Sequence, residues 1–231
     1  MSRPAVTVAM LVYRDPSWLA FALEGLAWAR NRTPYTTLVV GNDAEADVMA
    51  TGRVDVDHRN VDSLTRIGKI YAAWNRAVSE ASTELVCLIN DDMAVSDYWL
   101  DELVDLYSKG PRVLPCGLLV ESGRIPSAMP EYVKNFGLTT EDFDADGFRG
   151  HAESIRKRGE CEPGRLYMPC LFERSAFLRL GGYPLGNPTG TTGDKDLFAR
   201  FSADGYLHMT ALGSVTYHVQ CGSAGGYYGP D

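Results

Sequence analysis

Two adjacent carboxylates, Asp91 and Asp92, stand in the run Leu88-Ile89-Asn90-Asp91-Asp92-Met93. The apolar stretch that includes its start, Leu85-Val86-Cys87-Leu88-Ile89, has the length of a buried strand and is far too short to span a membrane. Acids at the exposed end of a buried strand need a partner. In an open α/β sheet, ligands gather beyond the carboxyl ends of the strands, where such a pair can hold a hard divalent cation that in turn binds phosphates. The same residues can equally form a turn and cap the next helix. A second polar pair, Asn42-Asp43, follows Val39-Val40-Gly41, and the acids Asp194 and Asp196 open a helical segment, where the helix dipole favours negative charge.

The elements that must position these groups read in order. Val6 to Tyr13 is a buried first strand; Asp15 and Pro16 then supply a cap and a first helical residue for a helix carrying Trp18, Leu19, Ala22 and Leu26. Thr36 to Val40 is a second strand. Residues 44 to 63 read as irregular, and Leu64, Ile67, Ile70, Tyr71, Trp74 and Val78 mark an amphipathic helix. After the Asn90-Asp91-Asp92 stretch, Ser96 is placed to cap a helix through Trp99, Leu103 and Leu106, ending near Lys109-Gly110-Pro111.

Short connections and right-handed crossovers then imply a parallel or mostly parallel sheet with its loops at one rim. The pattern weakens beyond Val113. The segment from Glu121 to Pro163 reads as variable and substrate-facing, with helix between Glu141 and Arg158. Pro184 to Gly193 is a loop, Asp194 starts a helix through Phe198 and Phe201, and alternation from Met209 through Tyr217 leads to His218. The tail Gly225-Gly226-Tyr227-Tyr228-Gly229 is either an ordered flap or a frayed end.

Whole-chain properties narrow the classes. At 231 residues the chain suits one large domain or one and a half, and its composition, 45% hydrophobic and 23% charged, is that of a globular protein. A formal net charge of -8 argues against a sequence-independent nucleic-acid surface, so no nucleic-acid partner is expected. No signal peptide and no integral membrane segment are read, which makes the expected location cytoplasmic. The 5 cysteines are scattered and form no C-x-x-C pair, as suits reduced core thiols.

Taken together and in order, these residues resemble a family 2 glycosyltransferase with the GT-A fold, in the nucleotide-diphospho-sugar transferase superfamily. The match runs from Val6-Thr7-Val8-Ala9-Met10-Leu11-Val12-Tyr13 through Val39-Val40-Gly41-Asn42-Asp43 and Gly68 to Arg76. Asn90-Asp91-Asp92 stands in the place of the Asp-x-Asp signature. Phe172 to Tyr183 resembles the stretch before the acceptor site, Asp194-Lys195-Asp196-Leu197 resembles the Glu-Asp-x-Asp-Leu motif, and His218 falls where a late histidine joins the metal shell.

The resemblance implies one GT-A domain over residues 1–231, a Rossmann-like, mostly parallel central sheet flanked by helices with a smaller acceptor-side region. Residues 1–112 would bind the nucleotide sugar and residues 113–231 would bind acceptor and catalyse. It implies transfer of one sugar from a UDP, GDP or dTDP sugar to the hydroxyl of a glycan, lipid-linked, small-molecule or protein acceptor, with inversion. Asp194 is then the general base, and Tyr13, Asn42 and Asp43 meet the base of the nucleotide. Asp91 meets the donor sugar or ribose, while Asp92 and His218 hold Mn2+ or Mg2+. Asp196 binds the acceptor or braces the loop, and Gly182 lies with it on the acceptor side. Three departures stand out: Asn90 for the first acid of the signature, Asn42-Asp43 for the usual acidic pair, and Gly193 for the Glu of Glu-Asp. The competing readings are a sugar-nucleotide nucleotidyltransferase, disfavoured because Arg14-Asp15-Pro16-Ser17 contains no glycine, and a non-catalytic nucleotide-sugar-binding module.

Overall fold

The Asp15 carboxylate accepts a hydrogen bond from the Ser17 N–H at 2.8 Å and Pro16 opens the first helix, so the chain turns from strand to helix where its sequence places the signals. The structure is a computed structural model that describes residues 3–186 and 193–223. In order the elements are β1 (Val6–Val12), α1 (Pro16–Trp28), β2 (Tyr35–Asn42), α2 (Ala46–Ala50), β3 (Val56–His58), α3 (Arg66–Glu80), β4 (Leu85–Leu88) and β5 (Met93–Val95). They continue with α4 (Trp99–Tyr107), β6 (Val113–Glu121), α5 (Ala145–Ile155), β7 (Cys161–Pro163), β8 (Cys170–Glu173), α6 (Arg174–Arg179), α7 (Gly193–Ala203) and β9 (Leu207–His218).

β1 is buried at every position, and its alternation divides the core between the two faces of the sheet. Val6, Val8, Met10 and Val12 pack with Leu19 and Leu26 of α1 and with Trp99 and Leu103 of α4. Ala9 and Leu11 belong instead to a cluster with Tyr71 and Trp74 of α3 and with Leu197, Phe198 and Phe201 of α7. Helices therefore cover both faces, as a sheet with buried parallel strands requires.

The sheet has 9 strands in the order β3-β2-β1-β4-β8-β6-β9-β5, with β7 added beside β9. From β3 to β4 every pairing is parallel. The rest is mixed: β8 runs antiparallel to β4 and β6, β9 is parallel to β6, and β5 and β7 are antiparallel to β9. Parallel pairing still supplies the two longest ladders, β1–β2 and β6–β9. The consequence for the site is geometric. The carboxyl ends of β1, β2, β4, β6 and β9 all arrive at one rim, and with them Asn42, Asp91, Asp92, Glu121 and His218.

Several local expectations are corrected. Residues 44 to 63 hold α2 and β3, elements of 5 and 3 residues that are too short to show a period. The chain after Asp92 is a strand, β5, before it is a helix. Beyond Val113 the pattern does not weaken into a loop: β6 is buried at all 9 positions, and an all-buried strand carries no alternation. The helix read between Glu141 and Arg158 is α5, capped by Asp144. Ser96 does not cap α4. Tyr98 stands at the cap in a left-handed conformation, φ 63°, without a side-chain cap of its own, and Asn31 Oδ1 accepts the Leu100 N–H of the first turn at 3.2 Å.

The start of α4 is tied instead through Asp101, which takes hydrogen bonds from the Thr33 N–H at 2.8 Å, the Thr33 hydroxyl at 2.7 Å and the Arg32 Nε at 2.9 Å. Burial alone would raise its pKa, but the bonds from Thr33 and Arg32 outweigh burial and hold it below the usual carboxylate value. Asp101→Ala removes the acceptor of four donors, the Arg32 N–H at 3.1 Å being the fourth, and is expected to destabilise the protein by about 3 kcal/mol in denaturant unfolding. Because the folded pKa is depressed, the stability Asp101 supplies is present above the unfolded carboxylate value and is lost as pH falls through the folded one.

Candidate active site

Register brings the site together. β5 pairs with β9 so that Met93 lies opposite His218, and β6 pairs with β9 so that Glu121 also lies opposite His218. The histidine is thereby set between Asp92 on one side and Glu121 on the other. Its Nε2 is 3.4 Å from Asp92 Oδ1, and its Nδ1 is 3.7 Å from Glu121 Oε1 and has no hydrogen-bond partner. Asp92, 4% exposed, also accepts a hydrogen bond from the Gly222 N–H at 3.0 Å. Glu121 is fixed by the Ser127 hydroxyl and by Gln220 Nε2 at 2.9 Å.

Charge follows from this geometry. Burial would lower the His218 pKa, but Asp92 and Glu121 outweigh it and push it up to about 9. Asp92 and Glu121 are in turn held below their ordinary values despite burial, chiefly through His218. Burial, reinforced by the neighbouring Asp92 charge, raises Asp91 to about 7. The Asp91 carboxylate is directed at the C-terminal segment, taking the Ser223 hydroxyl at 2.6 Å.

Asp92 and His218 fit a divalent cation. Two ligands each about 2.1 Å from one ion at roughly right angles lie roughly 3 Å apart, close to the observed separation, and carboxylate oxygen with imidazole nitrogen is a donor set that manganese and magnesium accept. Glu121 behind Nδ1 has the place of an outer carboxylate that orients a ligating imidazole. Among the described residues no group of three or more His, Cys, Asp or Glu side chains could hold a metal.

At the other end of the rim, Asp43 adopts a left-handed φ of 52°, which turns its carboxylate onto the Asn60 backbone N–H and side-chain Nδ2, both at 2.9 Å. Asn60 Nδ2 also donates to Asn42 Oδ1 at 2.7 Å. Burial would raise the Asp43 pKa, but the Asn60 bonds and the charge of Lys69 lower it. Tyr13 lies beside this turn: its backbone carbonyl accepts from the Glu45 N–H at 2.9 Å, and its ring carries the Arg14 guanidinium 4.6 Å from the centroid. The first turn of α3 spans the gap, with Lys69 acting on Asp43 and Arg66 acting on Cys221 near the Asp92 end.

Asp194 sits half-buried in the first turn of α7 near the Cys170 and Cys116 strands; burial raises both thiols, and the Asp194 charge adds to that rise. Cys170 pairs with Leu88 at the carboxyl end of β4, which places Asp194 over the strand that leads to Asp92. Burial raises the Asp194 pKa, and the Tyr183 hydroxyl opposes that shift only in part. Tyr183 stacks on Tyr71 with ring centroids 5.0 Å apart, and the Tyr71 hydroxyl accepts the Gly193 N–H at 2.7 Å.

The Gly193 departure has a physical reason in that contact. A Cβ at residue 193 would lie 2.4 Å from the Tyr71 ring, so no side chain fits while Tyr71 holds the helix start. Gly193→Ala is expected to cost about 1–3 kcal/mol by overpacking, measured by urea unfolding, and Tyr71→Ala should remove most of that penalty in the double variant.

Asp196 and Gly182 have clear structural duties. Asp196 pairs with Arg200 at 2.8 Å, and Arg200 donates to the Gly182 carbonyl at 2.6 Å, so Asp196 braces the Gly181-Gly182 turn. Gly182 has φ 62°, and a Cβ there would lie 2.4 Å from Asn75 Oδ1, the atom that accepts the Tyr183 N–H at 2.7 Å. The tail Gly225 to Gly229 and most of the loop before Gly193 lie outside the described residues.

Glu121, Gln220, Asn60 and the Tyr71–Tyr183 pair went unread in the sequence. Only Glu121 carried a signal: it ends an apolar run, Leu118-Leu119-Val120, as Asn90-Asp91-Asp92 does.

No family model matches the chain. A glucosyl-dolichyl phosphate glucuronosyltransferase of Haloferax volcanii is 25% identical over 162 residues, 70% of this chain and 49% of that protein. The chain thus spans about half the length of this curated relative. Among solved structures, GalNAc-T7 with UDP, GalNAc and Mn2+ superposes with a TM-score of 0.65 at 14% identity, over 94% of this chain and 44% of the other. The mannosyltransferase PcManGT from Pyrobaculum calidifontis, in complex with GDP-Man and Mn2+, gives 0.60 at 17% identity, over 94% and 57%. S. aureus TarS 1-349 gives 0.61 at 10% identity, over 93% and 60%. The chain therefore carries the GT-A fold of glycosyltransferases and is similar in sequence to one of them.

Proposed function

We propose that this chain transfers one sugar from a nucleoside-diphosphate sugar to an acceptor hydroxyl, with inversion and with the help of a divalent cation. The observation that carries the reading is the convergence of Asp92 and His218 at the rim where the Asn42-Asp43 turn also ends. Tyr13, Asn42 and Asp43 would receive the nucleotide base. Lys69 and Arg66 would line the diphosphate between the two ends, and Asp91 would meet the ribose or donor sugar. Residues 1–112 then bind the donor, and residues 113–231 serve the acceptor and the chemistry.

Asp92 and His218 would hold the cation, with Glu121 orienting the imidazole. When bound, the ion supplies Lewis-acid stabilisation of the charge that develops on the departing diphosphate. Manganese suits the imidazole better than magnesium. Asp194 takes the proton of the attacking acceptor hydroxyl, and its raised pKa makes it the stronger base. The relatives with UDP or GDP sugar and Mn2+ support this donor and metal class. Among the described residues no helix is long and apolar enough to cross a membrane. We place the chain in the cytoplasm on its chemistry: Cys116 and Cys170 are partners across β6–β8 and both are free thiols.

The test is turnover across UDP-, GDP- and dTDP-sugars with manganese. Release of nucleoside diphosphate with sugar transferred or hydrolysed is the expected result. Pyrophosphate release would show a nucleotidyltransferase, and binding without either product would show a binding module.

A further inference from the structure

At the far end of β5 from Asp92 a second constellation lies outside the proposed chemistry. A cleft of about 480 Å³ opens between the carboxyl end of α1, the β5–α4 connection and α5, and four guanidinium groups reach it: Arg30, Arg149, Arg156 and Arg158. Arg30, Arg156 and Arg158 each lie 5.5–5.6 Å from the centre of the Tyr98 ring. Tyr98 holds that position with a left-handed backbone, which costs a bulky residue free energy and here turns the ring toward three cations.

Two of the arginines are already committed. Arg30 donates through Nε to Asp97 Oδ2 at 3.0 Å, and Arg156, whose side chain is 3% exposed, donates to the Asp97 carbonyl at 2.7 Å and pairs with Glu153. Arg158 reaches Glu153 only at 3.6 Å. Arg149 makes no hydrogen bond or ion pair among the described residues and acts on Asp97 only at longer range. Counting Asp97, Asp146 and Glu153 against the arginines leaves this cleft net positive in a chain of net charge -8.

The second observation is Ser96. The sequence reads it as a helix cap, yet Ser96 lines the cleft, is 4% exposed, and has a buried hydroxyl with no hydrogen-bond partner. A buried hydroxyl without a partner costs about 1–3 kcal/mol of desolvation unless something from outside the chain completes it. A group with several acceptor oxygens meets both the hydroxyl and the spare N–H groups of Arg149 and Arg158. A tetrahedral phosphate offers more such oxygens than a planar carboxylate, and guanidinium forks match it well.

We propose that the cleft bounded by Ser96, Tyr98, Arg149 and Arg158 binds the phosphate group of a ligand, either a free phosphorylated metabolite or a lipid headgroup. The site is distinct from the donor rim. β5 separates Ser96 from Asp92 by about 13 Å of extended chain.

The test uses the full chain in EDTA, so that Asp92 and His218 cannot gather phosphate through a metal ion. Inorganic phosphate is titrated while NMR follows the Ser96 amide and the arginine Nε–Hε signals. Vesicles of phosphatidic acid are compared with vesicles of phosphatidylcholine by cosedimentation. Saturable shifts at Ser96, Arg149 and Arg158 are expected, and Arg149→Ala/Arg158→Ala should weaken binding at least tenfold with melting temperature unchanged. Ser96→Ala should weaken it severalfold without loss of folding, because no hydrogen bond within the chain is broken.

Shifts with free phosphate but no vesicle binding identify a metabolite site. Sedimentation with phosphatidic acid that is lost in the double variant identifies a headgroup site. Neither phosphate shifts nor selective vesicle binding, or binding that the double variant leaves intact, would overturn the proposal.

Discussion

Asp194→Asn is expected to lower kcat by roughly two to four orders of magnitude while nucleotide binding and folding persist. The carboxylate must be ionised to accept the acceptor proton, and its burial places the loss of that charge above the usual carboxylate range. The acid limb of the kcat profile should therefore fall at a higher pH than an ordinary aspartate gives. Tyr183→Phe removes the hydroxyl that favours the anion and should move that limb further up.

The sign for stability is the reverse of that for activity. A raised carboxylate pKa means that the fold disfavours the charge, so this group's contribution declines as pH rises from the unfolded value through the folded one. Asp194→Asn should then be neutral or slightly stabilising at pH 7, read by thermal unfolding. An inactive variant that was also unfolded would point to the helix start and not to the base.

His218→Ala and Asp92→Asn should each weaken manganese binding by at least about a hundredfold, beyond what outer-shell changes produce, and abolish the metal dependence of turnover. Glu121→Gln should weaken it about ten- to a hundredfold, because that carboxylate orients the ring without touching the ion. Without metal the imidazole titrates at about 9, so at pH 7 a cation must displace a proton. Affinity should accordingly rise by about tenfold per pH unit from 7 towards 9, with one proton released per ion, measured by calorimetry in two buffers. In the metal-free protein the stability His218 supplies is complete below its unfolded value near 6.5 and is lost as pH rises through about 9.

What could be read from the residues was the first half of the fold. β1, α1, β2, α3 and β4 each announce themselves by a run, a cap or a period, and their parallel order follows from short crossovers. The second half hid itself for physical reasons. β6 is buried throughout and so does not alternate, and β5 and β7 span 3 residues each. Their antiparallel pairing is a long-range fact that no local pattern states.

The site was legible at its acids and silent at their supports. Asp92, Asp43 and Asp194 stand at strand ends or a helix start, where charge needs a reason. Glu121 had only the end of an apolar run to mark it until register set it against His218, and Asn60 and Gln220 become visible only through their hydrogen bonds to Asp43 and Glu121. Asp196 and Gly182 show the opposite limit. Their motif position left acceptor binding and loop bracing both open, and the bonds to Arg200 and Asn75 are those of the turn ahead of Tyr183.

The most direct single measurement is the melting temperature of the protein with UDP, GDP and dTDP, each with and without manganese. One nucleotide at about a hundred times its Kd should add about 2.7 kcal/mol. For a chain of this size that is a rise of roughly 5–10 °C. The rise should require manganese and vanish in His218→Ala. A rise of the same size without manganese, or one that His218→Ala retains, would contradict a cation held by Asp92 and His218 on the diphosphate.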